Sequence, residues 1–124
     1  MSTKAVAFLA SAKPAEARRF YAEVVGLSFL EEHDFAMVFE AHGTLLRIQK
    51  VPKVVLAPYT AFGLEVDDIE VAVDAFAAKG VQGKRYPHFA QDARAIWSAP
   101  GGARVFWFQD PDGNLLSLSQ PAVS

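Results

Sequence analysis

Two stretches of this chain lie over each other without a gap. Phe35 to Lys50 (FAMVFEAHGTLLRIQK) aligns with Val105 to Gln120 (VFWFQDPDGNLLSLSQ), about 70 residues further on, so that Gly43 falls on Gly113 and Leu45-Leu46 on Leu115-Leu116. A Gly-x-Leu-Leu match alone arises by chance, but here each copy closes a similar run of elements. The chain therefore reads as a duplication, and a duplicated chain is constrained to fold as two similar halves.

The first half opens with an apolar run, Lys4 to Ala10, read as a strand. A helix follows, with Pro14 suited to its first turn and an apolar stripe of Ala17, Phe20, Tyr21, Val24 and Val25 that Gly26 ends. Ser28 to Glu32, Phe35 to Glu40 and Thr44 to Gln49 are short β-prone runs between turn-forming residues. Val51 to Pro58, with two prolines, is the linker. The pattern then restarts. Thr60 to Val66 reads as a strand, Asp67 with Glu70 as a capping box, and Ile69, Ala72, Val73, Phe76 and Ala77 as a helical stripe stopped by Gly80. Val81 to Tyr86 and Arg94 to Ala99 are further strand candidates, and Arg104 to Gln109 and Asn114 to Gln120 flank an Asp-Pro-Asp-Gly turn. The expectation is an α+β fold of two βαβββ modules, about 1–50 and 59–121, forming one domain around a shared cleft, with the helices on the outer face.

Both hairpins carry Gly in the third loop position (Ala41-His42-Gly43 and Pro111-Asp112-Gly113), which predicts a type I turn with a bulge. Glu40 then pairs with Thr44 and Asp110 with Asn114, which sets Met37 opposite Arg47 and Trp107 opposite Ser117. Phe35, Leu45 and Gln49 share the Met37 face, and Val105, Leu115 and Ser119 the Trp107 face. The opposite faces hold Val38, Leu46 and Ile48, and Phe106, Phe108, Leu116 and Leu118, a set suited to lie under the helices. The mixed first face is the one left to line a cavity.

Composition narrows the function. At 124 residues, 52% apolar and 21% charged, the chain has a core for one domain and is far from a disordered composition. The net charge of −2, with Lys and Arg scattered, provides no basic stripe for nucleic acid. No apolar run approaches the ~18–20 residues that span a bilayer, and no secretory leader is evident, so a cytoplasmic protein without membrane contact is expected. The absence of cysteine excludes disulfides, thiolate nucleophiles and thiolate metal sites.

Three stretches carry a family resemblance: Ala17-Arg-Arg-Phe-Tyr21 with Gly26-Leu27, Val66-Asp-Asp-Ile69, and Phe108-Gln-Asp-Pro-Asp-Gly-Asn-Leu-Leu116. With them the chain resembles the vicinal oxygen chelate superfamily, which includes glyoxalase I, extradiol dioxygenases, fosfomycin-resistance enzymes and bleomycin-resistance proteins. The resemblance implies two modules closing a U-shaped cleft. It also implies, for the metal enzymes, His on the first strand and carboxylates on the last strand of each module. By position these sites fall on Val6, Arg47, Ala61 and Ser117, none of which binds a metal. Their neighbours Ala5, Ala7, Thr60, Phe62, Leu46, Ile48, Leu116 and Leu118 supply no imidazole or carboxylate either. No metal or other cofactor is therefore expected, and Arg47 favours an anion over a dication.

The candidate ligand-binding set is Arg47, Trp107, Met37, Ser117, Val6, Ala61, Val105 and Trp97. Arg47 either binds an anionic group or is neutralised by Glu40 or Glu65. Trp107 either stacks on a planar ligand or plugs the cleft, and Trp97 lies either at its mouth or in the core. His33, His42 and His88 lack the spacing of a helical metal pair and read as surface residues, with only His33 placed near a rim. The leading expectation is a metal-free protein, homodimeric, that binds and sequesters a planar, partly anionic small molecule or drug. The alternative is a metal-independent isomerase or lyase, with Arg47 stabilising an enolate and Glu65 the nearest base. A third is a dimerising module with no ligand.

Overall fold

The computed structural model describes residues 2–123. They form two compact units: the residues up to Leu56 together with Asp110–Asn114, and Ala57–Gln109 together with the residues from Leu115 onward.

In the first unit β1 (Val6–Ser11) leads into α1 (Pro14–Arg19), with Pro14 in the first turn as expected. A π-helical stretch, Phe20–Val25, continues it until Gly26 adopts φ 86°, a left-handed value that glycine takes without a steric penalty. β2 (Ser28–Glu32), β3 (Ala36–Ala41) and β4 (Thr44–Lys50) complete a sheet of order β1-β4-β3-β2, in which β1 runs parallel to β4 and the other pairs are antiparallel. The second unit repeats the plan: β5 (Phe62–Glu65), α2 (Ile69–Ala78), β6 (Trp97–Ser98), β7 (Arg104–Gln109) and β8 (Leu115–Gln120), in the order β5-β8-β7-β6. The equal order and equal strand directions are the structural form of the repeat.

One face of each sheet is the core. Leu9, Leu46, Ile48, Met37 and Phe39 are buried with Ala17, Tyr21 and Leu27. Tyr21 and Phe29 place their rings 6.1 and 5.6 Å from Phe39. In the second unit Phe106, Phe108, Leu116 and Leu118 are buried with Ile69, Val73 and Phe76, whose ring stands edge-on to Phe108 at 5.3 Å. Each such side chain contributes about 1.5–3 kcal/mol by leaving water.

The register of the first hairpin differs from the expectation. Ala41 pairs with Thr44, so the loop is the two residues His42 and Gly43, at φ 51° and 98°, the left-handed pair of a type I′ turn. Met37 then lies opposite Ile48 and is fully buried on the core face, while Val38 is the residue opposite Arg47. Met37 is thus removed from the binding face and Val38 from the core face. Phe35 falls outside β3 and is 78% exposed. The second hairpin keeps the expected register, with Trp107 opposite Ser117 and Gly113 at φ 93°.

Three smaller expectations also change. The α2 cap is Asp68, whose carboxylate accepts from Val71 N at 3.2 Å, instead of Asp67. Residues 81–86 form no strand, and the Gln91 side chain, described below, bonds Lys84 O and Tyr86 N. Of Arg94 to Ala99, only Trp97–Ser98 is a strand.

The Asp-Pro-Asp-Gly-Asn turn does more than reverse the chain. The Asp110 carboxylate accepts from the Asp112 and Asn114 amides, from Asn114 Nδ2, all at 2.9 Å, and from the Tyr21 hydroxyl at 2.6 Å. Asn114 also donates to the Ala10 carbonyl, and Asp112 accepts from Ser11 Oγ and the Ala12 amide. Burial and the Asp110 charge together push the Tyr21 phenol well above its ordinary range. These bonds explain why the turn groups with β1 and the first helix: it is stitched to them by buried polar atoms, each with a partner.

Candidate functional site

Alternation along the strands decides which side chains share the non-core face of the second sheet. From the register, Ala61, Gly63 and Glu65 stand beside Leu115, Ser117 and Ser119 of β8, then Val105 and Trp107 of β7, then Trp97 of β6. Ser117, Ala61, Val105, Trp97 and Trp107 thus share one face, and that set is aromatic at its β6–β7 side.

There the structure adds residues that sequence reasoning did not single out. Phe89 stacks nearly flat on Trp107, at 5.3 Å and 10°, and Trp97 stacks on Trp107 at 5.8 Å and meets Phe89 at 4.4 Å with a tilt of 31°. Tyr86 meets Trp107 edge-on at 5.4 Å, and His88 lies 4.4 Å from Phe89. Trp107 remains partly exposed beside a cavity of ≈ 340 Å³ lined by Pro58, Tyr59, Thr60, Tyr86, His88, Phe89 and Leu115. Trp97 supports the stack without lining the cavity. Burial pushes the Tyr86 phenol up, so its hydroxyl stays a neutral donor at physiological pH. The lining holds no carboxylate. The ring faces and edges around this space can make offset and edge-on contacts with an aromatic molecule.

The rings are delivered by a segment without regular structure. Tyr86 N donates to Gln91 Oε1 at 2.8 Å, and Gln91 Nε2 donates to the Lys84 and Ala95 carbonyls at 2.9 and 3.0 Å. One carboxamide thus satisfies backbone atoms that a strand would have paired. Asp92 closes the next turn, its carboxylate accepting from Arg94 N and Ile96 N.

A second cavity, ≈ 460 Å³, lies on the core side of the same sheet, between α2 and residues 81–95, above Val73, Ala77 and Phe106. The charged groups at its rim are committed: Arg94 grips Asp74 through two hydrogen bonds, and Arg85 donates to the Asp92 and Ala93 carbonyls.

In the first unit Val6 and Arg47 lie on the non-core face with Phe8, Leu45 and Gln49. Among the described residues the Arg47 side chain has no hydrogen bond or ion pair, and Glu40, one of its two expected neutralising partners, accepts from Gly43 N instead. His33 lies in the β2–β3 turn, where it accepts from Phe35 N.

The positions that the family resemblance assigns to metal ligands carry the wrong chemistry for one. Val6, Arg47, Ala61 and Ser117 offer one cation, one hydroxyl and two aliphatic groups. Gly63, next on the same strand face as Ala61, has no room for an imidazole: a Cβ there would stand 2.6 Å from Ser117 Oγ. Among the described residues no three His, Asp or Glu side chains are grouped to hold an ion. These residues do not fit a divalent metal.

Residues 5–118 match the family described as the Glyoxalase/Bleomycin resistance protein/Dioxygenase superfamily. The chain belongs to this superfamily. None of the curated proteins compared with it matches. Solved structures share its fold at low identity. A superfamily member from Sphaerobacter thermophilus DSM 20745 is 19% identical, with 98% of both chains covered and a TM-score of 0.74. A lactoylglutathione lyase from Agrobacterium tumefaciens is 16% identical over 97% of this chain and 94% of that one, with a TM-score of 0.74. TnmS3, an antibiotic binding protein from Streptomyces sp. CB03234, is 20% identical over 98% of both chains, with a TM-score of 0.67. This architecture thus carries both an enzyme and a binder. Which of the two this chain resembles in function depends on its own side chains.

Proposed function

We propose that this chain is a metal-free small-molecule-binding protein that sequesters a planar, partly anionic compound against Trp107. The observation that carries the reading is the aromatic cavity of the second unit, where Trp107, Phe89 and Tyr86 present ring faces and edges around ≈ 340 Å³ of space. Two further facts support it. The positions that hold metal in enzymes of this fold carry no suitable ligands, and a protein of the same fold is described as antibiotic binding. The anionic part of the reading rests on the cavity lining, which holds no carboxylate to repel an anion. The reading extends to a homodimer, supported by the exposed apolar side chains Phe8 and Leu30.

The magnitude is modest. A three-ring carboxylate gains about 0.4 kcal/mol per non-hydrogen atom, about 7 kcal/mol in all, for a Kd of roughly 10 µM. The test is a titration of chelator-treated protein with 2-anthracenecarboxylate in a Trp97→Phe background, where tryptophan emission reports Trp107 alone. Saturable quenching is expected, together with its loss in Trp107→Leu. The neutral alcohol 2-hydroxymethylanthracene is titrated beside it, and the carboxylate is expected to bind at least as tightly. Absence of saturable quenching, or its appearance only after a dication is added, would remove the reading.

A further inference from the structure

The rings of the cavity sit on two kinds of support. Trp107 and Trp97 belong to paired strands, but Tyr86, His88 and Phe89 belong to a six-residue excursion, 86–91, that pairs with nothing along its length except through the single bridge between Gln91 and Trp97. A loop of this kind is normally free to move, and moving it would separate Phe89 and Tyr86 from Trp107. Two side chains close it: Arg85, just before it, donates to the Asp92 and Ala93 carbonyls just after it, and Gln91 ties its backbone from within. Gln91 Oε1 holds Tyr86 N at the start of the excursion, while Nε2 spans the Lys84 carbonyl before it and the Ala95 carbonyl after it. Inside, Phe89 N donates to Tyr86 O at 3.2 Å, and behind it Lys84 N donates to Trp107 O at 2.7 Å. The carboxamide is the required group: it is the side chain of this length that supplies one acceptor and two donors at once.

We propose that Gln91 is the positioning residue of the aromatic site, presetting Tyr86, His88 and Phe89 against Trp107 so that a flat ligand meets an ordered wall. This rests on the reading of that cavity as a ligand site. The mechanism is preorganisation: the ordering entropy of three rings is met on folding instead of on binding. The excursion 86–91 is accordingly the specificity element, since its rings line the cavity from a segment that lies outside the strands.

The experiment uses the full chain in the Trp97→Phe background, with Gln91→Ala and Gln91→Glu. Gln91→Glu keeps the acceptor for Tyr86 N but sets a carboxylate against two carbonyls. Two readouts are taken at 25 °C, well below the unfolding midpoint: collisional quenching of Trp107 by acrylamide without ligand, and the Kd for 2-anthracenecarboxylate. The expected result is an acrylamide quenching constant raised about twofold or more in Gln91→Ala, with an intermediate rise in Gln91→Glu. The Kd is expected to weaken about tenfold in Gln91→Ala, as the loss of two or three neutral hydrogen bonds implies. A purely structural role would lower the midpoint and leave both readouts unchanged in the folded protein, and that result overturns the proposal. If Gln91→Ala fails to fold, Gln91→Glu decides: a raised quenching constant supports the proposal, and an unchanged one overturns it. If the unsubstituted protein does not bind the probe, the function reading fails alone, and acrylamide accessibility still decides the role of Gln91.

Discussion

Tyr21→Phe removes one oxygen from the middle of the first unit and nothing else. Tyr21 is fully buried, and its hydroxyl donates to Asp110, itself 7% exposed, at 2.6 Å. Phenylalanine fills the same space, so no cavity term arises. The cost is one hydrogen bond to a charged acceptor, about 1.5–3 kcal/mol. Asp110 retains three N–H donors, which keeps the loss at that figure and prevents it from becoming the cost of a bare buried charge. Asp110→Ala is worse, about 3–5 kcal/mol, because it strands the Tyr21 hydroxyl and the turn amides together. The double variant then costs less than the sum of the two, with a coupling of about 1.5–3 kcal/mol. Urea unfolding at pH 7 reads all three through the midpoint, with an unchanged slope expected. A Tyr21→Phe midpoint indistinguishable from that of the unsubstituted protein, or strict additivity in the double variant, would refute the claim that this bond ties the turn to the first unit.

Other expectations follow from the same geometry. The Tyr21 phenol is held above its ordinary value by burial first and Asp110 second, so the folded chain favours the neutral form. Its contribution is complete below about pH 10, where the unfolded chain begins to ionise, and falls by about 1.4 kcal/mol per pH unit above that. Urea midpoints between pH 9 and 12 should drop more steeply in the unsubstituted protein than in Tyr21→Phe. Gly63→Ala should destabilise by about 1–3 kcal/mol through the contact with Ser117 Oγ, and adding Ser117→Ala should recover most of it in thermal unfolding. Gly43→Ala, in the left-handed second position of the β3–β4 turn, should cost about 1–2 kcal/mol by the same measurement.

Much of the fold was legible because it is written in periodicities. The stripe through Ala17 and Tyr21, the stripe through Ile69, Val73 and Phe76, and the alternation in β7 and β8 each mark the buried side they turned out to have. The first hairpin shows where this runs out. Ala36, Met37, Val38 and Phe39 are all buried, so β3 has no polar alternation from which to read a register. Gly43 serves a two-residue loop as well as a three-residue one. What separates the hairpins is the residue before the loop: Asp110 accepts from two turn amides and favours the longer loop, whereas His42 takes a left-handed φ that its side chain does not announce.

The candidate site divides in the same way. Trp107 and Ser117 were placed on the non-core face because β7 and β8 alternate clearly. Tyr86, His88 and Phe89 were missed because an irregular segment has no period, and a regular strand was expected across its first part. A usable signal was present all the same: three aromatic rings and a proline within Tyr86–Phe89 do not suit a ladder strand and do suit a packed excursion, with a glutamine nearby to satisfy its backbone.

The most direct test of the binding reading is a two-dimensional NMR titration of chelator-treated, isotope-labelled protein with 2-anthracenecarboxylate. Saturable shifts are predicted at the Trp107 indole N–H and at the amides of residues 86–91, without added metal. Shifts that cluster instead at Val73, Val81 and Phe106, or that appear only when a dication is supplied, would contradict it.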